Sequence, residues 1–189
     1  MAKVLSRDVG EFYQHYPRLA TIVTCQARGK DNAMACAWHT ALSRTPPLFG
    51  VAISPKRFTC ELIPEAREFG VNFIPFDEAA ISAAMGGSSG RDGDKMGHFR
   101  IAREKPAKTQ VPILEEAYAA YECKLVDRMT CGDHEWFVGE IVAVHLKEGL
   151  LNDKGVLDLK KVLPALYLGA DFYATVAPET VKYLERPRL

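Results

Sequence analysis

The sequence has no run of about eighteen apolar residues, so no segment reads as a membrane-spanning helix. Its first stretch, MAKVLSRDVGEFYQHYPRL, lacks the apolar core and cleavage site of a secretory signal, and the cytoplasm is the expected compartment. An excess of either charge is missing too. Lys+Arg and Asp+Glu are both 24, which excludes a general attraction to nucleic acid or an anionic membrane surface. Among Cys25, Cys36, Cys60, Cys123 and Cys131 there is no CxxC pair, and no two histidines stand at zinc-ligand spacing. No metal is expected, and the thiols read as small apolar residues, with Cys131 beside Gly132-Asp133-His134 the one to watch. Repeats and low-complexity tracts are also lacking. GGSSG at Gly86–Gly90 fits neither GxxxxGK[ST] nor a GxGxxG that follows a strand.

What is present suits one globular domain spanning residues 1–189, with a core over about 16–173: 48% of residues are hydrophobic and 25% charged. The chain is organised around Asp31–Thr59, DNAMACAWHTALSRTPPLFGVAISPKRFT. This stretch predicts two short strands joined at Pro46-Pro47, since neither proline can donate to a central ladder. In the second strand, Leu48–Ser54, Phe49, Val51 and Ile53 share one face and suit a packed core. Ser54, Lys56, Arg57 and Thr59 follow, two hydroxyls and two cations beside a helix start, where backbone N–H groups and the dipole favour an anion such as a phosphate. A solvated Lys-Arg bend has the same pattern. Trp38 and His39 beside Ala35, Cys36 and Ala37 offer stacking next to small residues that admit a planar ligand, although a strand tryptophan also serves as plain core.

Elsewhere, Val9, Phe12, Tyr13 and Tyr16 are spaced for a short amphipathic helix over Leu5–Tyr16, stopped by Pro17. Leu19–Ala27 reads as a strand, turning at Arg28–Asn32 into the Trp38 strand. A helix starts at Thr59 as its cap and is weakened by Pro64. Phe69–Ile74 is a strand with Val71 and Phe73 on one face and Asn72 on the other, facing either solvent or a ligand. Asp77 caps a helix that runs into a mobile loop, Gly86–Lys95, whose Arg91 and Lys95 can close over negative groups. Arg100–Pro112 is basic and irregular. Ala117–Asp127, with Tyr121, Cys123 and Leu125 alternating against Glu122 and Lys124, pairs with Glu135–Leu146 across a turn. Leu159–Val162 is one helical turn, and Leu166–Gly169 and Phe172-Tyr173 end the ordered part. Six or seven hairpin-linked strands and two to four short helices favour an antiparallel barrel over a doubly wound sheet.

The order of Asn32-Ala33-Met34-Ala35, Pro46-Pro47, Arg57-Phe58-Thr59, Phe69-Gly70-Val71-Asn72, a Ser-Gly loop with Asp94-Lys95, Gly132-Asp133-His134 and Val138-Gly139-Glu140 resembles the flavin reductase-like family. That family of FMN-binding split barrels includes flavoredoxins and the reductase components of two-component monooxygenases such as styrene monooxygenase. The resemblance covers about Tyr16–Tyr173. It implies a mainly β fold, a six-stranded antiparallel Greek-key split β-barrel with a few short helices, forming a homodimer with FMN bound near the interface. Carried onto this chain, it has Ala35, Cys36, Ala37, Trp38, His39 and Thr40 lining the flavin ring, and Ser54, Lys56, Arg57 and Thr59 holding the phosphate. Asn72 faces the flavin, Lys95 approaches from the loop, and His134 stands at the open face as the catalytic candidate. Trp38-His39-Thr40 departs from the smaller Ser and Phe residues of many members, which bears on ring stacking and on FMN against FAD. The implied activity moves hydride from NADPH or NADH through FMN to free flavin or a partner monooxygenase. A flavoredoxin-type carrier that does not use NAD(P)H, or a ferric or quinone reductase, is the alternative.

Overall fold

The computed structural model describes residues 2–5, 7, 10 and 13–187. Val9 and Phe12 of the expected first helix lie outside them; inside them that stretch makes a 3₁₀ turn at Tyr13–His15. In chain order come β1 (Arg18–Leu19), β2 (Thr21–Ala27), β3 (Lys30–Cys36), β4 (His39–Arg44) and β5 (Pro47–Ile53). Helix α1 (Phe58–Ala66) returns into β6 (Glu68–Phe73), and α2 (Ala79–Gly87) and α3 (Lys95–His98) follow. Short β7 (Arg103–Glu104) and β8 (Ile113–Leu114) precede the long hairpin of β9 (Ala119–Cys131) and β10 (His134–Leu146); β11 (Leu166–Gly169) and β12 (Phe172–Ala174) come last.

The main sheet is antiparallel in the order β3-β2-β6-β9-β10-β5-β4. Its two outermost segments, β3 and β4, are consecutive in the chain. The expected single Trp38 strand is therefore broken at Ala37-Trp38, and its two halves serve opposite edges. Ala52 donates its N–H to the Trp38 carbonyl at 2.8 Å, carrying the β4–β5 ladder up to the break, and the chain that joins β3 to β4 there closes the sheet on itself. Seven segments thus make six staves of a barrel, which removes the open edges. A separate small sheet, β1-β11-β12, lies outside this circuit.

Side chains explain the two-sided burial of β2, which is covered from Thr21 to Cys25 without alternation. Val23 and Cys25 join Val51, Ile53, Phe69 and Phe137 in the principal core. Ile22 belongs instead with Met85, Met96 and Leu114, under α2 and α3. At Gly139 a side chain has no room: an added Cβ would stand 2.5 Å from Phe69 Cζ and 2.7 Å from Cys123 Cβ. The aromatic ring that fills this space, fully buried, contributes about 3 kcal/mol by area removed from water.

Several local expectations are corrected. Arg57, not Thr59, is the N-cap of α1, and Thr59 is buried inside the helix. Asp77 lies in a 3₁₀ turn, Phe76–Glu78, while Glu78 precedes α2 with no side-chain cap. The Gly86–Lys95 segment is tied down: Arg91 donates to the Lys56 carbonyl at 2.9 Å and pairs with Glu61. Glu122, placed by alternation on the face of Lys124, has no exposed surface. Its carboxylate accepts the N–H groups of Ala107, Lys108 and Thr109 at 2.6, 2.8 and 2.7 Å, the Thr109 hydroxyl at 2.8 Å, and contacts His145 Nε2 at 2.6 Å. Glu122 thus fastens residues 107–109 to the barrel, and Glu68, which accepts the Gln110 N–H at 2.9 Å, holds the next residue.

Candidate functional site

The bend after β5 forms because Arg57 N–H donates to the Ser54 carbonyl at 2.9 Å, while the Lys56 N–H reaches Ser54 Oγ at 3.4 Å. The chain enters α1 with Arg57 in extended conformation and no side chain capping the helix, which leaves first-turn N–H groups open to an external acceptor. Among the described residues no carboxylate lies within salt-bridge distance of Lys56 or Arg57. Two cations without a salt-bridge partner among the described residues at a helix N-terminus are an arrangement able to take an anion.

A cleft of about 500 Å³ is lined by these cations together with Ser54, Ala35, Ala37, Trp38 and His134. Two recesses open from it, both also bounded by Ala35 and Arg57. One is walled by Ser82, Gly86, Tyr167 and Tyr173. The other is walled by Asn32, Ser88, Gly90 and Lys95. Gly90 is required in the second, since an added Cβ would come within 2.1 Å of Asn32 Oδ1. In the same cleft the Trp38 and His134 rings are 4.6 Å apart, and Trp38 Nε1 donates to the Tyr16 hydroxyl at 2.8 Å. His134 Nδ1 lies 2.7 Å from Asp133 Oδ1. A carboxylate only accepts, so Nδ1 carries the proton and Nε2 is left for a ligand. The same hydrogen bond holds the Asp133 carboxyl below its ordinary range.

Of the residues expected at the site, Ala35, Cys36, Ala37, Trp38, Ser54, Lys56, Arg57 and His134 line this cleft. Thr59 and Lys95 border the second recess. Thr59 Oγ1 accepts from Asn32 Nδ2 at 2.8 Å, which uses a lone pair and leaves the hydroxyl hydrogen to donate to an anion. Lys95 does not hang from a loop tip. It is 7% exposed and its Nζ donates to the Met85 and Ser88 carbonyls at 2.9 and 3.0 Å. Burial first, and Arg57 second, pull its pKa down to about 8.

His39, Thr40 and Asn72 are not brought to the cleft. The His39 ring stacks on Phe49 at 5.6 Å and its Nε2 meets the Leu19 carbonyl at 3.0 Å; burial lowers its pKa, so it is a neutral core histidine. Thr40 is exposed on β4. Asn72 is fully buried: its Nδ2 donates to the Ile22 carbonyl and Thr24 Oγ1, and its Oδ1 accepts the Leu114 N–H at 2.9 Å. It faces neither solvent nor the cleft. Conversely, Tyr16, Ser82, Tyr167 and Tyr173 border the cavities without having been expected there. Only Tyr16 gave a local signal, an aromatic before a proline.

The arrangement has a chemical shape. Lys56 and Arg57 suit a phosphate, the small residues of Ala35–Ala37 suit a flat ring, and the same cleft holds the His134 imidazole against the Trp38 ring. Two buried polar atoms of the recesses, Asn32 Oδ1 and Ser82 Oγ, have no hydrogen-bond partner among the described residues. Such orphans are rare in a finished interior and fit a polar ligand that completes them. A phosphorylated planar cofactor such as FMN fits these residues.

Known proteins give the same picture. Residues 13–175 match the family model described as "Flavin reductase like domain". A crystal structure of an FMN-binding protein from Thermus thermophilus, with bound 1-cyclohex-2-enone, is 38% identical and covers 97% of this chain and 99% of its own, with a TM-score of 0.84. A flavoredoxin from Methanosarcina acetivorans is 29% identical, covers 98% of this chain and 95% of its own, and superposes with a TM-score of 0.82. An uncharacterised protein of Aeropyrum pernix is 34% identical over 157 residues, 82% of this chain; the match spans only 58% of that longer relative.

Proposed function

The chain belongs to the flavin reductase like family, and from that premise we propose that it binds FMN and works as an NAD(P)H-dependent flavin oxidoreductase. The observation that carries this reading is one cleft lined by Lys56 and Arg57, by the small residues Ala35, Cys36 and Ala37, and by Trp38 and His134. Lys56, Arg57 and the first N–H groups of α1 hold the phosphate through charge-assisted hydrogen bonds. Ala35, Cys36 and Ala37 admit the ring against the backbone. When bound, FMN supplies two-electron chemistry, taking reducing equivalents from a nicotinamide and yielding them to an acceptor.

The protein's own part is orientation. His134, its tautomer set by Asp133, presents Nε2 at the cleft and positions the nicotinamide carboxamide. His134→Ala retains FMN and slows its reduction by NAD(P)H by roughly tenfold, one hydrogen bond's worth of orientation. An unchanged stopped-flow rate would remove His134 from this role. The acceptor we propose is free flavin or a partner monooxygenase, and the assembly is a homodimer, checked by sedimentation. The described cysteines form no disulfide, which supports a reducing compartment such as the cytoplasm.

A second reading, a flavoredoxin-type electron carrier, is favoured by the likeness to the Methanosarcina flavoredoxin. Direct reduction of quinones or ferric chelates is a third. Absorbance of the purified protein, followed by anaerobic NADH and then NADPH, separates them. Flavin absorbance that bleaches within seconds supports the reductase and names its donor. Absorbance that resists both donors but bleaches with dithionite supports the carrier. Protein that takes up no added FMN overturns both.

A further inference from the structure

Ser82 sits within α2, is 1% exposed and borders the first recess, yet its hydroxyl has no hydrogen-bond partner among the described residues. A buried helical serine ordinarily satisfies itself on the carbonyl four residues back. Ser88 does so, donating to the Ala84 carbonyl at 2.7 Å; Ser82 does not. The same recess is bordered by Arg57, Tyr167, Asp171 and Tyr173. The turn between β11 and β12 holds Ala170 and Asp171 at φ 47° and 61° and brings Asp171 to this wall. Burial raises the pKa of the Tyr173 phenol, which therefore keeps its hydrogen and can donate. The recess thus offers hydroxyl and guanidinium donors together with one carboxylate acceptor. Its volume, about 200 Å³, is below the roughly 300 Å³ of a site for a whole drug-sized ligand, so it takes one end of a larger molecule.

The flavin ring system has two unlike ends. Its dimethylbenzene end carries no polar atom and would leave Ser82 buried and unpaired, which costs binding. Its dioxopyrimidine end presents carbonyl oxygens at C2 and C4 on either side of the N3 hydrogen, and so asks for donors and one acceptor, the set that borders this recess. We propose that the recess reads the dioxopyrimidine end: Ser82 donates to the C2 carbonyl oxygen, Asp171 accepts the N3 hydrogen, and Ser82 thereby holds two-electron-reduced FMN more tightly than oxidised FMN. The proposal rests on the flavin reading and adds to it a residue that sets the redox balance. The C2 carbonyl lies on the side of the ring system that carries the ribityl chain, which agrees with Arg57 bordering both this recess and the cleft that takes the phosphate. Reduction gathers negative charge over N1 and the C2 oxygen. A hydrogen bond to a charged acceptor is about twice as strong as one to a neutral acceptor, and burial strengthens it further. Ser82 therefore raises the midpoint potential of the bound flavin.

The test loads the protein with FMN and records flavin absorbance first. No uptake overturns the flavin reading and, with it, this proposal; with flavin in place, every later result bears on this proposal alone. Midpoint potentials of wild type and Ser82→Ala are then measured by reductive titration against a reference dye. The substitution is expected to weaken oxidised FMN about threefold and reduced FMN about thirtyfold, a tenfold change in ratio that lowers the two-electron potential by about 30 mV. An unchanged potential overturns the role of Ser82, since a residue that only shapes the recess weakens both oxidation states alike. FMN methylated at N3 probes Asp171 in the wild-type chain. It is expected to bind about tenfold more weakly than FMN, and Asp171→Ala to narrow that gap to about twofold. Equal affinity of wild type for the two flavins, or an undiminished gap in Asp171→Ala, overturns the dioxopyrimidine placement.

Discussion

Glu122 and Lys95 are both buried ionisable side chains held largely by backbone groups, yet their surroundings treat them in opposite ways. Burial works against the Glu122 charge, but N–H donors from Ala107–Thr109, the Thr109 hydroxyl and His145 outweigh it and hold the carboxyl at about 2. Lys95 has two carbonyls and a neighbouring cation, Arg57, and burial pulls it down to about 8. One charge is fully compensated within the fold. The other is short of negative charge, and it sits beside Lys56 and Arg57 where a phosphate is expected. The contrast separates a fastening from a binding site: a fastening satisfies its own charge, and a site leaves charge and polar atoms for a ligand to satisfy.

The strongest way to break the comparison is Glu122→Gln. The amide keeps the volume but turns an NH₂ toward donors, leaving N–H groups of the 107–109 segment unsatisfied. A loss of about 3 kcal/mol in urea unfolding is expected, with FMN affinity little changed. The pH dependence follows from the same carboxyl. Its folded pKa, about 2, lies below the ordinary 4.5, so its stabilisation is present above about pH 4.5 and is lost as pH falls toward 2. A Gln variant with wild-type stability and weak flavin would place Glu122 with the site instead.

Arg57→Ala reverses the pattern. Arg57 has no acidic partner among the described residues, so apoprotein stability should move by less than about 0.5 kcal/mol, while FMN binding weakens on the order of 30-fold. A fluorescence titration measures this. A large loss of apoprotein stability with intact binding would make Arg57 a fastening.

The two regions also differed in how far they could be read from sequence. Lys56 and Arg57 were legible because their chemistry is local: a strand, a bend and a helix start within a few residues. Phe49, Val51 and Ile53 were legible from period-two alternation. Glu122 was misplaced because that alternation sees one strand and not the 107–109 segment that covers its outer face. Asn72 and His39 failed for the same reason, each being satisfied by partners distant in sequence. The break at Ala37-Trp38 arises from barrel closure, which no local propensity encodes. Ser82 and Tyr167 reach the cavity only through the packing of α2 and β11, and nothing in their flanks announces it.

Lys95→Met sharpens the comparison through pH. The folded pKa, about 8, is below the ordinary 10.5, so the unfolded chain holds more protons between these values. Wild-type apoprotein should therefore gain stability relative to Lys95→Met as pH rises from 7 to 9, by about 1 kcal/mol. Tyrosine and cysteine titrations are common to both chains and cancel in the difference. Added FMN should shrink the gain, since a phosphate supplies the missing negative charge. A difference that stays flat with pH would mean that Lys95 is already compensated like Glu122.

The smallest effect is the most discriminating. Ser82 is 1% exposed, and its Oγ has no partner among the described residues although the residue borders the recess beside Tyr167. A buried hydroxyl left unsatisfied costs stability, so Ser82→Ala should raise apoprotein stability by up to about 1 kcal/mol. If the ligand completes that hydroxyl, the same change weakens FMN about threefold, and the gain disappears in the loaded protein. Thermal unfolding with and without FMN reads both. An apoprotein that loses stability instead would show that Ser82 already has a partner, such as a bound water, and that this recess belongs with the fastening at Glu122.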